Sequence, residues 1–234
     1  MYVKQHTLKE EVRLEGTGLH SGAAVTLTIK PAPEKHGFKF VRTDLPGRPE
    51  IAAALENVVE FQRSTTLAHG DVRVQTTEHV LAALYGLQID NALLELHGPE
   101  PPALDGSAAV YVEKIKEVGI VKQKENREFL VIEEPVHYHD AEQNHDLAAL
   151  QFDDFRVTVM VDYNSPKLGV QHATLIRMED FEREIAPGRT FCFWRELRPL
   201  VQAGFISGGN LNNSVVIVDE PVDQKEIEEV ARLF

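Results

Sequence analysis

A histidine can hold a metal ion, and a carboxylate beside it can take a proton from water bound to that ion. The chain has such a pair, Glu78-His79, inside Thr76-Thr77-Glu78-His79-Val80-Leu81-Ala82-Ala83-Leu84 at the head of an apolar helix. Neighbours on a helix diverge by about 100°. In the first turn both side chains can still converge on one point, the imidazole on a metal and the carboxylate on its water. The dipeptide also suits a plain solvated first turn. It fits neither known short zinc helix: there is no His-Glu-x-x-His, and Gln75 stands where the inverted motif needs histidine.

Four other groups could do chemistry. Gly188-Arg189-Thr190-Phe191-Cys192-Phe193-Trp194 sets three aromatics and a hydroxyl just before a helix. It reads as a core wedge, or as a substrate wall with Thr190 donating to a developing oxyanion. Gly204-Phe205-Ile206-Ser207-Gly208-Gly209-Asn210 is a turn, or a place where backbone approaches a ligand closely. His137-x-His139 with His145 puts two imidazoles on one strand face, in a polar setting that suits exposure. Gly18-Leu19-His20-Ser21-Gly22 is a glycine-bracketed loop, and Asp105-Gly106-Ser107 supplies an ordinary helix N-cap.

The elements that must position these groups alternate strand and helix signals. Val25, Leu27 and Ile29 alternate with polar residues, a strand stopped by Pro31 and Pro33, and residues 38–42 read as its hairpin partner. Residues 63–67 and 72–75 read as a second hairpin. A helix follows over 77–85, with Thr76 as N-cap and Gly86 as C′ stop. Residues 91–97 form an apolar strand and 107–118 a helix ended by Gly119. A charged stretch, residues 122–128, marks the domain boundary.

Beyond it, 129–132 reads as a strand, 147–152 and 157–163 as a hairpin around Asp153-Asp154, and 215–218 as a buried strand. Residues 178–185 and 194–203 read as helices. Ile227, Val230, Ala231 and Phe234 make one apolar helix face. Two strand-strand-helix halves predict an α+β fold of two similar domains, residues 1–125 and 126–234.

Of the 234 residues, 43% are hydrophobic and 26% charged, ordinary for a soluble globular protein. The formal net charge of -13 argues against wrapping nucleic acid or docking on anionic membranes. The N-terminus has no apolar signal region and no run has the length of a membrane span, so stable membrane insertion is not expected. The single cysteine, Cys192, makes no intrachain disulfide and reads as a buried apolar residue. A reducing, cytoplasmic location follows.

Taken in order, several segments resemble UDP-3-O-acyl-N-acetylglucosamine deacetylase, a zinc amidase of lipid A biosynthesis. They are Thr17-Gly18-Leu19-His20-Ser21-Gly22, Val41-Arg42-Thr43-Asp44-Leu45, Arg63-Ser64-Thr65-Thr66-Leu67, the Glu78-His79 helix with Ala82-Ala83-Leu84, and Ile89-Asp90-Asn91. Leu104-Asp105-Gly106-Ser107-Ala108, Arg189-Thr190-Phe191-x-Phe193 and Gly204-Phe205-Ile206-Ser207-Gly208-Gly209 complete the series. The resemblance implies two two-layer α/β sandwich domains of the ribosomal protein S5 domain 2-like type, with the active site at their junction.

It also implies roles. His79 is a zinc (Zn2+) ligand and Glu78 the general base. Thr190 steadies the oxyanion. Phe191 and Phe193 pack on the glucosamine, Tyr163 stacks near the uracil, and Leu197, Ile206, Gly209 and Asn210 line the passage for the 3-O-acyl chain. The partner is therefore the acylated UDP-N-acetylglucosamine substrate. The family's remaining zinc ligands sit on a later His-Lys-x-x-Asp-type helix, and this chain has no His-Lys pair. With the apolar terminal helix, that implies a deacetylase truncated in an incomplete second domain, the other ligands lying beyond Phe234. The parent chain could extend into a fused hydroxyacyl-carrier-protein dehydratase. A second reading is a non-catalytic module that binds the acyl-UDP-sugar. A third is a metal site of His79, His137 and His139.

Overall fold

The computed structural model describes residues 3–61 and 63–231. Strands β1 (Lys4–Leu8), β2 (Val12–Thr17), β3 (Ala24–Pro31), β4 (Phe38–Arg42), β5 (Glu50–Ala52) and β6 (Val58–Glu60) lead to the hairpin of β7 (Thr66–His69) and β8 (Val72–Val74). Then come α1 (Glu78–Gly86), β9 (Ala92–His97), α2 (Ala109–Val118) and β10 (Ile120–Asn126). The fold is α+β, as the alternating signals predict. The central sheet has the order β2-β3-β9-β4-β5.

Period-two patterning fixes which face of this sheet is buried. Val25, Leu27 and Ile29 of β3 and Ala92, Leu94 and Leu96 of β9 point inward. All of these but Val25 meet Val80, Ala83 and Leu84 of α1 and Tyr111, Val112 and Ile115 of α2 in one core. Each large apolar side chain buried there contributes about 1.5–3 kcal/mol. Residues 38–42 are not the hairpin partner of β3. β9 lies between them, antiparallel to β3 and parallel to β4. The proline-rich connection after β3 is too long for the tight turn a hairpin needs.

The expected boundary at 122–128 is largely strand. β10 pairs antiparallel with β1 from Lys4↔Asn126 to Leu8↔Ile120. Its exposed side chains hid it, because the backbone ladder rather than a core holds it. Arg127 follows, with Nε donating to Asp90 Oδ1 at 2.6 Å and Nη2 to Asp90 Oδ2 at 2.9 Å.

The rest comprises β11 (Val136–Asp140), β12 (His145–Ala149), β13 (Val157–Asp162), β14 (Val170–Leu175), α3 (Phe181–Glu184), β15 (Phe191–Phe193), α4 (Trp194–Gln202), β16 (Val215–Ile217) and α5 (Gln224–Ala231). β11 pairs with β12 and β13 with β14, so the hairpin predicted around Asp153-Asp154 is absent, and 129–132 is not a strand. The turn chemistry sits elsewhere. Asp140 Oδ1 accepts the N–H groups of Glu142 and Gln143, both at 3.0 Å, and Asn144 adopts φ 53. β16 runs parallel to β15, but Val215 is 40% exposed, so the strand is not buried. Of the predicted terminal stripe, the side chains of Val230, Ala231 and Phe234 lie outside the described residues.

Two cap expectations also change. Thr77, not Thr76, is the N-cap of α1, and the helix runs through Gly86 to a C-cap at Leu87. Gly86 is glycine because the Phe181 ring packs on it: a Cβ there would lie 2.1 Å from that ring. Leu175, Phe181 and Ala186 thereby join the first core. Among the described residues no helix is long and apolar enough to cross a membrane.

Candidate active site

The head of α1 is held by backbone from the segment before β7. Thr77 N–H and Oγ1–H both donate to Thr65 O, at 3.2 and 3.1 Å. In return Thr65 N–H donates to Glu78 Oε2 at 2.9 Å. This reciprocal clasp does the work of a side-chain cap, which the helix lacks. It fixes one carboxylate oxygen of Glu78 and leaves the other available. Glu78 and His79 are both half-buried.

Thr76, one residue earlier, has φ 53, a strained conformation for a β-branched residue. Its hydroxyl donates to Glu100 Oε2 at 2.7 Å. Glu100 is fully buried, and its Oε1 accepts the N–H groups of His20 at 3.0 Å and Ser21 at 2.7 Å. Gly18 lies against the same carboxylate, where a Cβ would come within 2.4 Å of Oε1. Glu100 thus ties the Gly18–Gly22 loop to the residue that launches the Glu78-His79 helix. The sequence reading did not single it out. Its one signal was a carboxylate among prolines, Pro99-Glu100-Pro101-Pro102.

The second half of the chain meets this frame through main chain. Ser207 N–H donates to His20 O at 3.1 Å and Gly208 N–H to Leu19 O at 3.0 Å. A Cβ on Gly208 would lie 2.0 Å from Gly18 O. Further along the seam, Thr190 N–H donates to Gly106 O at 2.8 Å, and Ala108 N–H to Ala186 O at 3.0 Å. Gly106 has φ 83, and a Cβ there would lie 1.8 Å from Asn213 O. Ala108, not Asp105 or Ser107, is the N-cap of α2, so the capping expectation for this segment does not hold; instead Gly106 O seats Thr190, the residue before β15.

Tyr163, Phe191 and Phe193 form one edge-to-face aromatic cluster, with ring centroids 5.4–6.0 Å apart. The Arg195 guanidinium stacks 4.2 Å from the centroid of Phe193 and pairs with buried Asp219. A cavity of about 40 Å³ beside this cluster is lined by Leu19, His20, Arg63, Thr190, Phe191, Cys192, Leu200, Ile206 and Ser214. Leu197 packs beneath it with Cys192. Gly209 and Asn210 shape the adjoining turn: Gly209 N–H donates to Ile206 O at 2.9 Å, and Asn210 Oδ1 accepts from Asn212 N–H at 2.8 Å.

One ion pair interrupts the apolar wall. Arg63 Nη1 donates to Glu196 Oε2 at 3.0 Å. The Arg63 guanidinium holds the Glu196 carboxyl below its ordinary range, and Glu196 in turn raises Arg63. Burial, with the nearby Glu196 charge, pushes the Cys192 thiol up, away from nucleophile chemistry.

Among the described residues, no three His, Cys, Asp or Glu side chains come together to hold a metal. His137 and His139 lie on the exposed β11–β12 hairpin, where His139 Nδ1 sits 2.8 Å from Asp146 Oδ1. Of the histidines that the sequence reading offered as metal ligands, His79 is half-buried at the head of α1.

Comparison with known proteins accounts for nearly the whole chain. Residues 5–230 match the family model for UDP-3-O-acyl N-acetylglycosamine deacetylase. A bifunctional enzyme LpxC/FabZ of Chlorobaculum tepidum is 49% identical over 232 residues, covering 99% of this chain and 50% of the relative. A UDP-3-O-acyl-N-acetylglucosamine deacetylase of Myxococcus xanthus is 43% identical over 214 residues, covering 91% and 68%. One of Bdellovibrio bacteriovorus is 38% identical over 223 residues, covering 95% and 73%. The chain spans about half the length of the bifunctional relatives it matches.

Proposed function

The chain belongs to the UDP-3-O-acyl-N-acetylglucosamine deacetylase family, and we propose that it supplies the general base, oxyanion donor and acyl cavity of that activity. The reaction is hydrolysis of the acetamide of a 3-O-acylated UDP-N-acetylglucosamine, in lipid A biosynthesis in the cytoplasm. The observation that carries this reading is the clasp at the head of α1. It holds Glu78 by one oxygen on the segment that, two residues earlier, walls the cavity containing Thr190.

In this reading Glu78 accepts the proton of a water whose oxygen attacks the acetamide carbonyl. The Thr190 hydroxyl donates to the oxyanion that develops. The carbon–nitrogen bond then breaks, the amine takes up a proton, and acetate leaves. Phe191, Phe193 and Tyr163 form an apolar ledge for the sugar and its base. A catalytic zinc keeps three protein ligands, and the described residues do not make such a site. His79 is the ligand this chain offers, and zinc belongs to the reading only with ligands from outside residues 3–231. The bifunctional relatives support a whole protein in which the deacetylase is fused to a second enzyme.

The test is acetate release and zinc content of the full-length protein, with Glu78→Gln. That substitution keeps an oxygen for Thr65 N–H and removes the base. Turnover should fall by roughly 10²–10⁴, with zinc content unchanged. A variant as active as the wild type refutes the role of Glu78. A wild type that binds the acyl-UDP-sugar with neither zinc nor turnover supports a non-catalytic binding module instead.

A further inference from the structure

β15 and β16 run parallel with Phe193 opposite Ile217. Two residues beyond each, the register still holds: Arg195, in the first turn of α4, forms an ion pair with Asp219. The pair is lopsided, the Asp219 side chain being 1% exposed and that of Arg195 36%. A carboxylate withdrawn from water needs a cation held against it, so Asp219 fixes where the guanidinium lies. It lies on a ring. The Arg195 guanidinium carbon stands 4.2 Å from the centroid of Phe193, close enough for a cation to be drawn to the aromatic face.

Phe193 is 6% exposed and offers a ligand little surface of its own. It carries two rings that do offer surface. Its edge contacts run to exposed Phe191, with centroids 5.9 Å apart, and to half-buried Tyr163, 6.0 Å away. The segment after β16 also reaches the turn that follows Tyr163, where the Lys167 ammonium donates to Val218 O. Contacts therefore run from a buried carboxylate, through a planar cation and a buried ring, to the open face of the aromatic ledge. Asp219 neutralises the guanidinium, which suits a support better than a group that binds anions.

We propose that Asp219 is a positioning residue: through the Arg195 stack on Phe193, it sets the ledge on which the nucleotide sugar lies. In the deacetylase reading, on which this rests, Phe191 and Tyr163 face the sugar and its base. Asp219 and Arg195 take no part in bond making there. Contacts to the nucleotide sugar are shared by the ground state and the transition state, so loss of the support raises KM and spares kcat. A merely structural loss does the reverse: it lowers the amount of folded enzyme, which cuts kcat and leaves KM where it was.

The test is a double-mutant cycle in the full-length protein with Asp219→Asn, Phe193→Leu and the two combined. The readouts are kcat and KM on acylated UDP-N-acetylglucosamine, and the Kd for UDP alone by titration calorimetry. Asp219→Asn should raise KM and the Kd for UDP about two- to thirtyfold, the range of one cation–π contact, with little change in kcat. Once Phe193 is leucine, Asp219→Asn should add nothing further, because its effect travels through that ring. If Asp219→Asn does not fold, Arg195→Lys takes its place in the cycle, since lysine keeps the carboxylate paired but lacks the planar face that stacks. An unchanged KM, a loss confined to kcat, or effects that multiply in the combined variant overturn the proposal while the deacetylase reading stands. If the wild type neither turns over the acylated substrate nor binds UDP, that reading falls and the proposal falls with it.

Discussion

Glu100 offers the sharpest test of how the site is held together. Its carboxylate is fully buried and accepts three hydrogen bonds, from His20 N–H, Ser21 N–H and the Thr76 hydroxyl. Glu100→Ala leaves all three donors without a partner. An unmet buried donor costs about 1–3 kcal/mol, and water entering the vacated space recovers part of that, so the loss should be roughly 3–5 kcal/mol. For a chain of this length the melting temperature falls about 2–4 °C per kcal/mol, hence by roughly 6–20 °C. Glu100→Gln should cost far less, about 1–2 kcal/mol. Its amide oxygen can serve the two backbone N–H groups while the Thr76 hydroxyl turns to accept from the amide NH₂. Urea unfolding and calorimetry on wild type and both variants give the comparison. An alanine variant that melts within about 2 °C of the wild type, or a glutamine variant as damaged as the alanine one, would refute the claim that this carboxylate ties the loops.

Two further outcomes follow from particular contacts. Gly86→Ala should destabilise the protein by about 1–2 kcal/mol, even though alanine is the better helix former by about 1 kcal/mol. The clash with the Phe181 ring costs more than that gain, and Phe181→Leu in the same chain should restore most of the loss. Asp44 is held at about 2, below its ordinary 3.8, chiefly by hydrogen bonds from Arg42. A carboxyl depressed by folding adds stability above its unfolded value and loses it as pH falls through the folded one. Asp44→Asn should therefore be less stable than wild type near neutral pH, the gap closing between about pH 4 and 2. A gap unchanged at pH 2 assigns the effect to something other than ionisation.

Much of the first sheet was legible because its strands are half-buried. Val25, Leu27 and Ile29 alternate with polar residues, and alternation survives in the sequence as a pattern. β10 was missed for the opposite reason: a strand held by its backbone ladder with both faces exposed leaves no apolar signature, and its charges read as a boundary. The β11–β14 pairing was lost because the turns were placed at Asp153-Asp154, whereas the carboxylate that accepts successive backbone N–H groups is Asp140. At the site, residue types pointed to Glu78-His79 and to the aromatics around Thr190. What positions them is Thr65 backbone, a buried Glu100 and an ion pair 133 residues apart in sequence. Such long-range partners have no local period to betray them.

The seam between the two halves of the chain has a consequence for how this site can change. Where Gly18 meets Gly208 and Gly106 meets Asn213, main chain rests on main chain, with no room for a single added carbon. The registration of the cavity walls thus depends on peptide groups, which every residue has in common, and on a few positions that must stay bare. Side chains that stand on this frame, such as Arg63 with its partner Glu196, can change without moving the backbone contacts of the seam. Selection can retune what the cavity admits one residue at a time, while the glycines that carry no chemistry tolerate no substitution.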